Sequence, residues 1–146
     1  MNAMKLYRLG NFFYRKRIPF LPIVCNALIR LVHNSVVYSQ TEIGTGTVFG
    51  YGGVSVVIHK NAAIGEFCTI GPNVTIGGRS KLPAVPRIGS NTYLGAGCKI
   101  LGDIDIGENC VIGANAVVLK SIPPNSVVAG IPAKIIRSNV DPKDYY

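Results

Sequence analysis

An aliphatic residue returns at every sixth position through the middle of the chain: Ile58, Ile64, Ile70 and Ile76, then Ile88, Leu94, Ile100, Ile106, Ile112 and Val118. The one wider gap, from Ile76 to Ile88, is itself a multiple of the period. Glycine follows most of these residues (Gly65, Gly71, Gly77, Gly89, Gly95, Gly107, Gly113). Four residues beyond them sits a small or aliphatic side chain, as at Ala62, Cys68, Val74, Thr92, Cys98, Ile104, Cys110, Ala116 and Ile122. Such a period matches neither an amphipathic helix nor alternating hairpin strands. It predicts a mainly β protein, a parallel β-helix of hexapeptide repeats. Each hexad supplies one short strand and one corner, and three hexads close a triangular coil. No hexad buries its own apolar face, so stability comes from stacking coils. Stacking at a constant step of three hexads places Ile58, Ile76, Leu94 and Ile112 on one face. Ile64, Ile100 and Val118 fall on the second, and Ile70, Ile88 and Ile106 on the third. The same step distributes Cys68, Cys98 and Cys110 over three different faces.

Two stretches break the rhythm. Ile43-Gly44 opens the repeat, yet the glycine-rich run Phe49-Gly-Tyr-Gly-Gly-Val-Ser55 throws the count out before Ile58. A skipped corner or a flattened backbone is expected there. The second break, from Gly78 to Arg87, carries Pro83 and Pro86, which suit a strand poorly. It is expected to leave the wall in part as a loop bearing Arg79, Lys81 and Arg87, although Leu82 stays in phase. Interruptions of a regular scaffold are where function concentrates.

Residues 3–17 place Leu6, Leu9, Phe12 and Phe13 at helical spacing with basic residues between them, which predicts a helix ended by Ile18-Pro19. Pro22 opens a second helix running to His33. These helices, in residues 1–40, read as a cap over the open end of the solenoid in 41–137, with 138–146 a mobile tail. A second reading makes the first helix a basic amphipathic membrane-surface anchor, through Arg8, Arg15, Lys16 and Arg17 beside Phe12, Phe13 and Tyr14. His33 is expected to be structural.

The chain has 146 residues, enough for one domain with a real core, and a net charge of +8. That charge points to an anionic partner. Nucleic acid is not the expected partner, since no helix-turn-helix, zinc-finger or aromatic RNA-binding motif is present; a phospholipid surface or a phosphate-bearing small molecule is. Cysteines without CxxC spacing or clustering predict free, buried thiols and a reducing, cytoplasmic setting. No segment has the roughly 18 uninterrupted apolar residues of a membrane span, and no small-residue cleavage site follows the basic-then-apolar start.

His59 is the one histidine in the repeat region. It follows the inward Ile58 at a corner, which turns it outward, and constant stacking sets Gly77 and Gly78 above it. A base, a glycine floor and a basic loop thus converge from remote positions. The repeat itself, the loop after Thr75-Ile-Gly-Gly78, the run Leu94-Gly-Ala-Gly-Cys-Lys-Ile-Leu-Gly102 and the ending Val127-Val-Ala-Gly-Ile-Pro-Ala-Lys-Ile-Ile136 resemble the hexapeptide acyltransferases. Within these, the chain is most similar to the serine acetyltransferases and the sugar or capsule O-acetyltransferases near them.

The resemblance implies a left-handed β-helix, a homotrimer and acetyl-CoA lying between neighbouring copies. Small corner residues at Gly78, Ala96 and Ala114 would let pantetheine approach the backbone, while Lys120, Lys134 and Arg137 match phosphate and adenine contacts. Where the resemblance places the family's general-base histidine, in a glycine-rich segment, this chain has Tyr51; the motif holding a second histidine reads Val85-Pro-Arg-Ile88. His59 is therefore the candidate general base, with Glu42 or Glu66 as an orienting carboxylate, and Tyr51, Arg79 and Lys81 as candidate acceptor contacts. No metal is called for: the zinc enzymes of γ-carbonic-anhydrase type need three histidine ligands, and this chain has two histidines. The function implied is acetyl-CoA-dependent O-acetyl transfer to a sugar, glycan precursor or serine-like alcohol. The competing reading is a catalytically silent trimeric scaffold or membrane-surface partner.

Overall fold

The computed structural model describes residues 2–145. Two helices, α1 (Ala3–Arg15) and α2 (Leu21–His33), precede a parallel β-helix. The Asn2 side chain caps α1 by accepting from the Met4 N–H at 2.9 Å, and Pro22 occupies the first turn of α2. Asn34 then ends α2 in the left-handed region, at φ 51°. His33 is buried at that end, and its carbonyl accepts from the Ser55 N–H.

Three parallel ladders form the wall. The first stacks Val36–Val37, Val57–Ile58, Thr75–Gly77, Lys99–Leu101 and Val117–Val118. The second stacks Glu42–Ile43, Ala63–Ile64, Arg87–Ile88 and Asp105–Ile106, and is extended by a bridge from Ile106 to Ile122. The third stacks Val48–Phe49, Thr69–Ile70, Tyr93–Leu94, Val111–Ile112 and Ser126–Ala129, with Lys134–Ser138 closing it antiparallel. The inward aliphatic residue of each hexad is buried, as is the small or aliphatic side chain four residues on. The repeat begins one strand earlier than Ile43, at Val36–Val37.

Stacking is not constant. Ile58 pairs with Ile76 as expected, but Ile76 pairs with Ile100, Ile64 with Ile88 and Ile70 with Leu94. Leu94 and Ile112 therefore continue the face of Ile70, Ile100 and Val118 that of Ile76, and Ile88 and Ile106 that of Ile64. One whole hexad has left the wall between Ile76 and Ile88, and Leu82, though in phase, is exposed. Removing a full period preserves the count along the chain while advancing every later strand by one face. The cysteines move with it. Cys68 and Cys110 share one column, where the N–H of Cys68 donates to Thr47 Oγ1 and that of Cys110 to Thr92 Oγ1. Cys98 lies apart from them, and all four cysteines are free.

The first break is neither a skipped corner nor a flattened backbone. Val37 pairs with Ile58 and Phe49 with Ile70, so the opening coil is three residues longer than the next. The surplus folds as a 3-10 turn, Gly50–Gly52, followed by Gly53 at φ 81°. A side chain at Gly53 would press on Phe49 and on Ala3 of α1, so this corner is fitted to the cap.

The carbonyls of the first coil have no coil beneath them, and α1 supplies their donors. Tyr7 Oη donates to Thr41 O at 2.6 Å, Asn11 Nδ2 to Ser39 O at 2.8 Å and Asn2 Nδ2 to Phe49 O at 3.2 Å. Arg8 spans two carbonyls, Nη1 to Ile43 O at 2.6 Å and Nη2 to Gly44 O at 2.5 Å. Arg8 is thus a cap residue and unavailable as a membrane cation; its charge satisfies a strand edge that would otherwise invite pairing. At the far end, Val140 N–H donates to Asn125 O and Pro142 is buried, so the tail lies against the wall as far as the short 3-10 turn Pro142–Asp144.

Candidate active site

His59 leaves the first ladder at a corner. Its N–H donates to Ile76 O at 2.9 Å, which locks the backbone into the wall and turns the half-buried imidazole sideways. Imidazole Nδ1 accepts from the Asn61 N–H at 3.1 Å. A neutral ring so bonded carries its proton on Nε2 and presents a donor outward.

The extruded hexad forms the opposite side of a cleft of about 450 Å³. Its walls include His59, Asn61, Gly78, Leu82, Val85 and Arg87. A turn closed by Leu82 N–H on Arg79 O folds the loop back, with Lys81 at φ 71°. The Leu82 side chain lies over Gly102, where a Cβ would crowd it. Arg87 ties the loop's end to the second ladder through a two-pronged contact with Asp105, at 2.7 and 3.1 Å. Both partners are exposed, so this contact orients more than it stabilises.

The other candidate residues scatter around this cleft. Arg79 and Lys81 lie exposed on the loop but do not line it. Tyr51 stands 88% exposed on the 3-10 turn, at the corner leaving the third ladder. Ala96 and Ala114 sit on that same corner one coil apart, joined by Asn115 N–H to Ala96 O at 2.9 Å. Gly71 is needed below them: a Cβ there would stand 2.8 Å from the Ala96 nitrogen. Gly78 and Lys120 belong to the corner that closes the first ladder, and Ala96 and Ala114 to the corner that opens it, so the four bound one face of the prism. Lys134 and Arg137 lie exposed on the closing strand, and Arg137 Nη1 donates to Tyr145 Oη at 3.2 Å.

Neither Glu42 nor Glu66 lines the His59 cleft. Glu42 instead faces the adjoining groove beside α1, with Tyr14, Arg15 and Arg87. Sequence reasoning did not assign site roles to Asn61 or Arg87. Asn61 acts through its backbone, which no side-chain pattern reports, whereas Arg87 stood in the sequence as the last cation of the proline-bearing stretch. Burial pushes the Cys98 thiol up to about 12, so it is an inert core group at neutral pH.

The family model for the bacterial transferase hexapeptide (six repeats) matches residues 86–120. The serine acetyltransferase of Helicobacter pylori J99 is 35% identical over 141 residues, which span 95% of this chain and 82% of that protein. The chain belongs to the serine acetyltransferase family. A serine acetyltransferase of Synechococcus elongatus is 38% identical over 148 residues, 98% of this chain and 60% of its own length. The serine acetyltransferase of Brucella abortus in complex with coenzyme A superposes with a TM-score of 0.86 at 30% identity, over 93% of this chain and 55% of that one. The chain thus spans little more than half the length of several of its serine acetyltransferase relatives. With them it shares the left-handed β-helix.

Proposed function

We propose that the chain is an acetyl-CoA-dependent O-acetyltransferase in which His59 is the general base. The observation that carries this reading is an imidazole lining the cleft beneath the extruded hexad. Val85, where the resemblance sets the family's second histidine, lines the same cleft, while the family's general-base position falls at Tyr51, outside it. Kinship with a serine acetyltransferase that binds coenzyme A supports the donor.

The chemistry follows from the thioester. The acceptor hydroxyl attacks the acetyl carbonyl as its proton passes to the imidazole. The tetrahedral oxyanion takes a hydrogen bond from a backbone N–H at the Gly77–Gly78 turn. Collapse breaks the carbon–sulfur bond, and the imidazolium returns the proton to the departing CoA thiolate. Pantetheine would run past Gly78, Ala96 and Ala114, with Lys120, Lys134 and Arg137 toward the phosphates and adenine. Tyr51, Arg79 and Lys81 are the exposed groups that would meet the acceptor once neighbouring copies of a cytoplasmic homotrimer close the cleft.

To serve as a base at Nε2, the ring must give up the Asn61 contact and carry its proton on Nδ1. That contact is exposed and worth about 0.5–1.5 kcal/mol. The cost is roughly tenfold in rate, small beside the 10²–10⁴-fold that general base catalysis typically supplies. The acceptor is a sugar, a glycan precursor or a serine-like alcohol. Leu82, Pro83 and Val85 give the cleft an apolar wall, with Arg87 and Asn61 as its polar contacts.

The second reading, a silent β-helix scaffold, is favoured by the same Nδ1 contact and by a cleft without a lining carboxylate. Thiol release from acetyl-CoA, measured with serine, nucleotide-sugar and oligosaccharide acceptors, separates the two. Turnover with one acceptor class supports the enzyme, and none with any class leaves the scaffold.

A further inference from the structure

The first 41 residues contain six cations (Lys5, Arg8, Arg15, Lys16, Arg17, Arg30) and no Asp or Glu; the first acidic residue is Glu42. Most of the chain's net charge of +8 therefore sits on the cap. Helix α2 buries Cys25, Ile29 and His33 against the solenoid and α1. Its opposite face is almost wholly apolar: Ile23, Val24, Ala27, Leu28, Leu31 and Val32, with Arg30 alone among them. Leu31 is 82% exposed and Ile23 67%. A helix apolar on all sides is one that something covers.

The elbow before α2 points the same way. Phe20 is held at φ 67°, a conformation that costs a bulky residue strain, and stands 75% exposed. Within the elbow lies a groove of about 600 Å³ lined by Arg15, Arg17, Phe20, Ile23 and Asn26 among others. Two guanidiniums beside aromatic and aliphatic side chains suit a phosphodiester joined to hydrocarbon.

We infer that the outward face of α2, with the Arg15–Arg17 elbow, docks the protein flat on an anionic phospholipid surface. A basic rim around an apolar helical face is the arrangement that lies in a bilayer interface. Spanning is excluded for this element. Thirteen residues of helix reach roughly 20 Å, against a hydrocarbon core of about 30 Å, and no described helix is long and apolar enough to cross a membrane. Apposition of a second copy on the same face is disfavoured, because it would press two acid-free, cation-rich caps together. The docking is independent of the proposed acetyl transfer, and its test reads no activity.

The test is co-sedimentation of the full chain with vesicles of phosphatidylcholine alone or with three parts in ten phosphatidylglycerol. The anionic vesicles should bind at least tenfold more tightly, and 0.5 M NaCl should weaken that binding as the rim is screened. Leu31→Glu should lower it at least tenfold, as should Arg15→Glu with Arg17→Glu, while far-UV circular dichroism stays unchanged. Equal binding to neutral vesicles overturns the inference, as does no binding at all or full retention by Leu31→Glu. A wild-type mass in light scattering that falls on Leu31→Glu, without vesicle binding, assigns the face to a second copy and overturns it likewise.

Discussion

The three surplus residues between Phe49 and Ile58 and the six between Ile76 and Ile88 interrupt one repeat in different ways. The first interruption is taken up by the chain itself. Gly53 closes on Phe49 and Ala3, Asn2 donates to Phe49 O, and the widened corner becomes the seat of the cap. The second is left open: its residues fold away from the wall and leave a cleft against His59. The first interruption seats the cap on one side and leaves Tyr51 exposed on the other, while the second holds space beside an imidazole and is the candidate catalytic cleft. The two also differ in how they read along the chain. Three residues break the phase and announce themselves, whereas six are a whole period and pass silently.

Excising residues 79–84 should change the molecule most. The excision removes one hexad and restores an unbroken count, so the β-helix should still form by circular dichroism. Acetyl transfer should fall about 100-fold, the order expected when reacting groups lose their positioning. Loss of the fold instead would make the loop structural. The next effect contrasts two leucine-like positions in one phase. Ile76→Ala, fully buried, should cost about 2–5 kcal/mol in denaturant unfolding, and Leu82→Ala, exposed on the loop, less than about 0.5 kcal/mol. Equal costs would return Leu82 to the wall. Gly53→Ala, forced to φ 81° against Phe49, should cost about 1–3 kcal/mol in denaturant unfolding.

A last effect concerns Cys98, a buried thiol of the regular coils. The Cys98 thiol titrates near 12 in the folded chain, against an ordinary value of 9.0. Below 9 both folded and unfolded thiols are protonated, and the group is neutral to stability. Between 9 and 12 only the unfolded thiol loses its proton, so stability should decline as pH rises through that window. Denaturant midpoints from pH 8 to 11 measure the decline, and Cys98→Ala should flatten part of it.

Much of the fold was legible because a period of six leaves a mark at each buried position, from Ile58 to Val118. What was not legible is which hexad belongs to which coil, since Leu82 satisfies the pattern as well as Ile76 does. Everything stacked above the loop moved by one face for that reason, the cysteines included. Arg8 stayed open between cap and membrane surface because cations between apolar residues look alike whether they face lipid or a carbonyl edge; only the position of α1 over Ile43 and Gly44 decides for the cap. The cleft was half legible. Gly78 and the loop meet His59 through an ordinary coil step, but Arg87 enters from the neighbouring ladder and Asn61 through its backbone.

In the proposed reaction the imidazole at the loop-covered corner accepts the acceptor's proton. Initial rates of thiol release from acetyl-CoA by wild type and His59→Ala test it most directly, with CoA affinity and circular dichroism as controls. His59→Ala should lower the rate about 10²–10⁴-fold with both controls unchanged. A rate within threefold of wild type would contradict it.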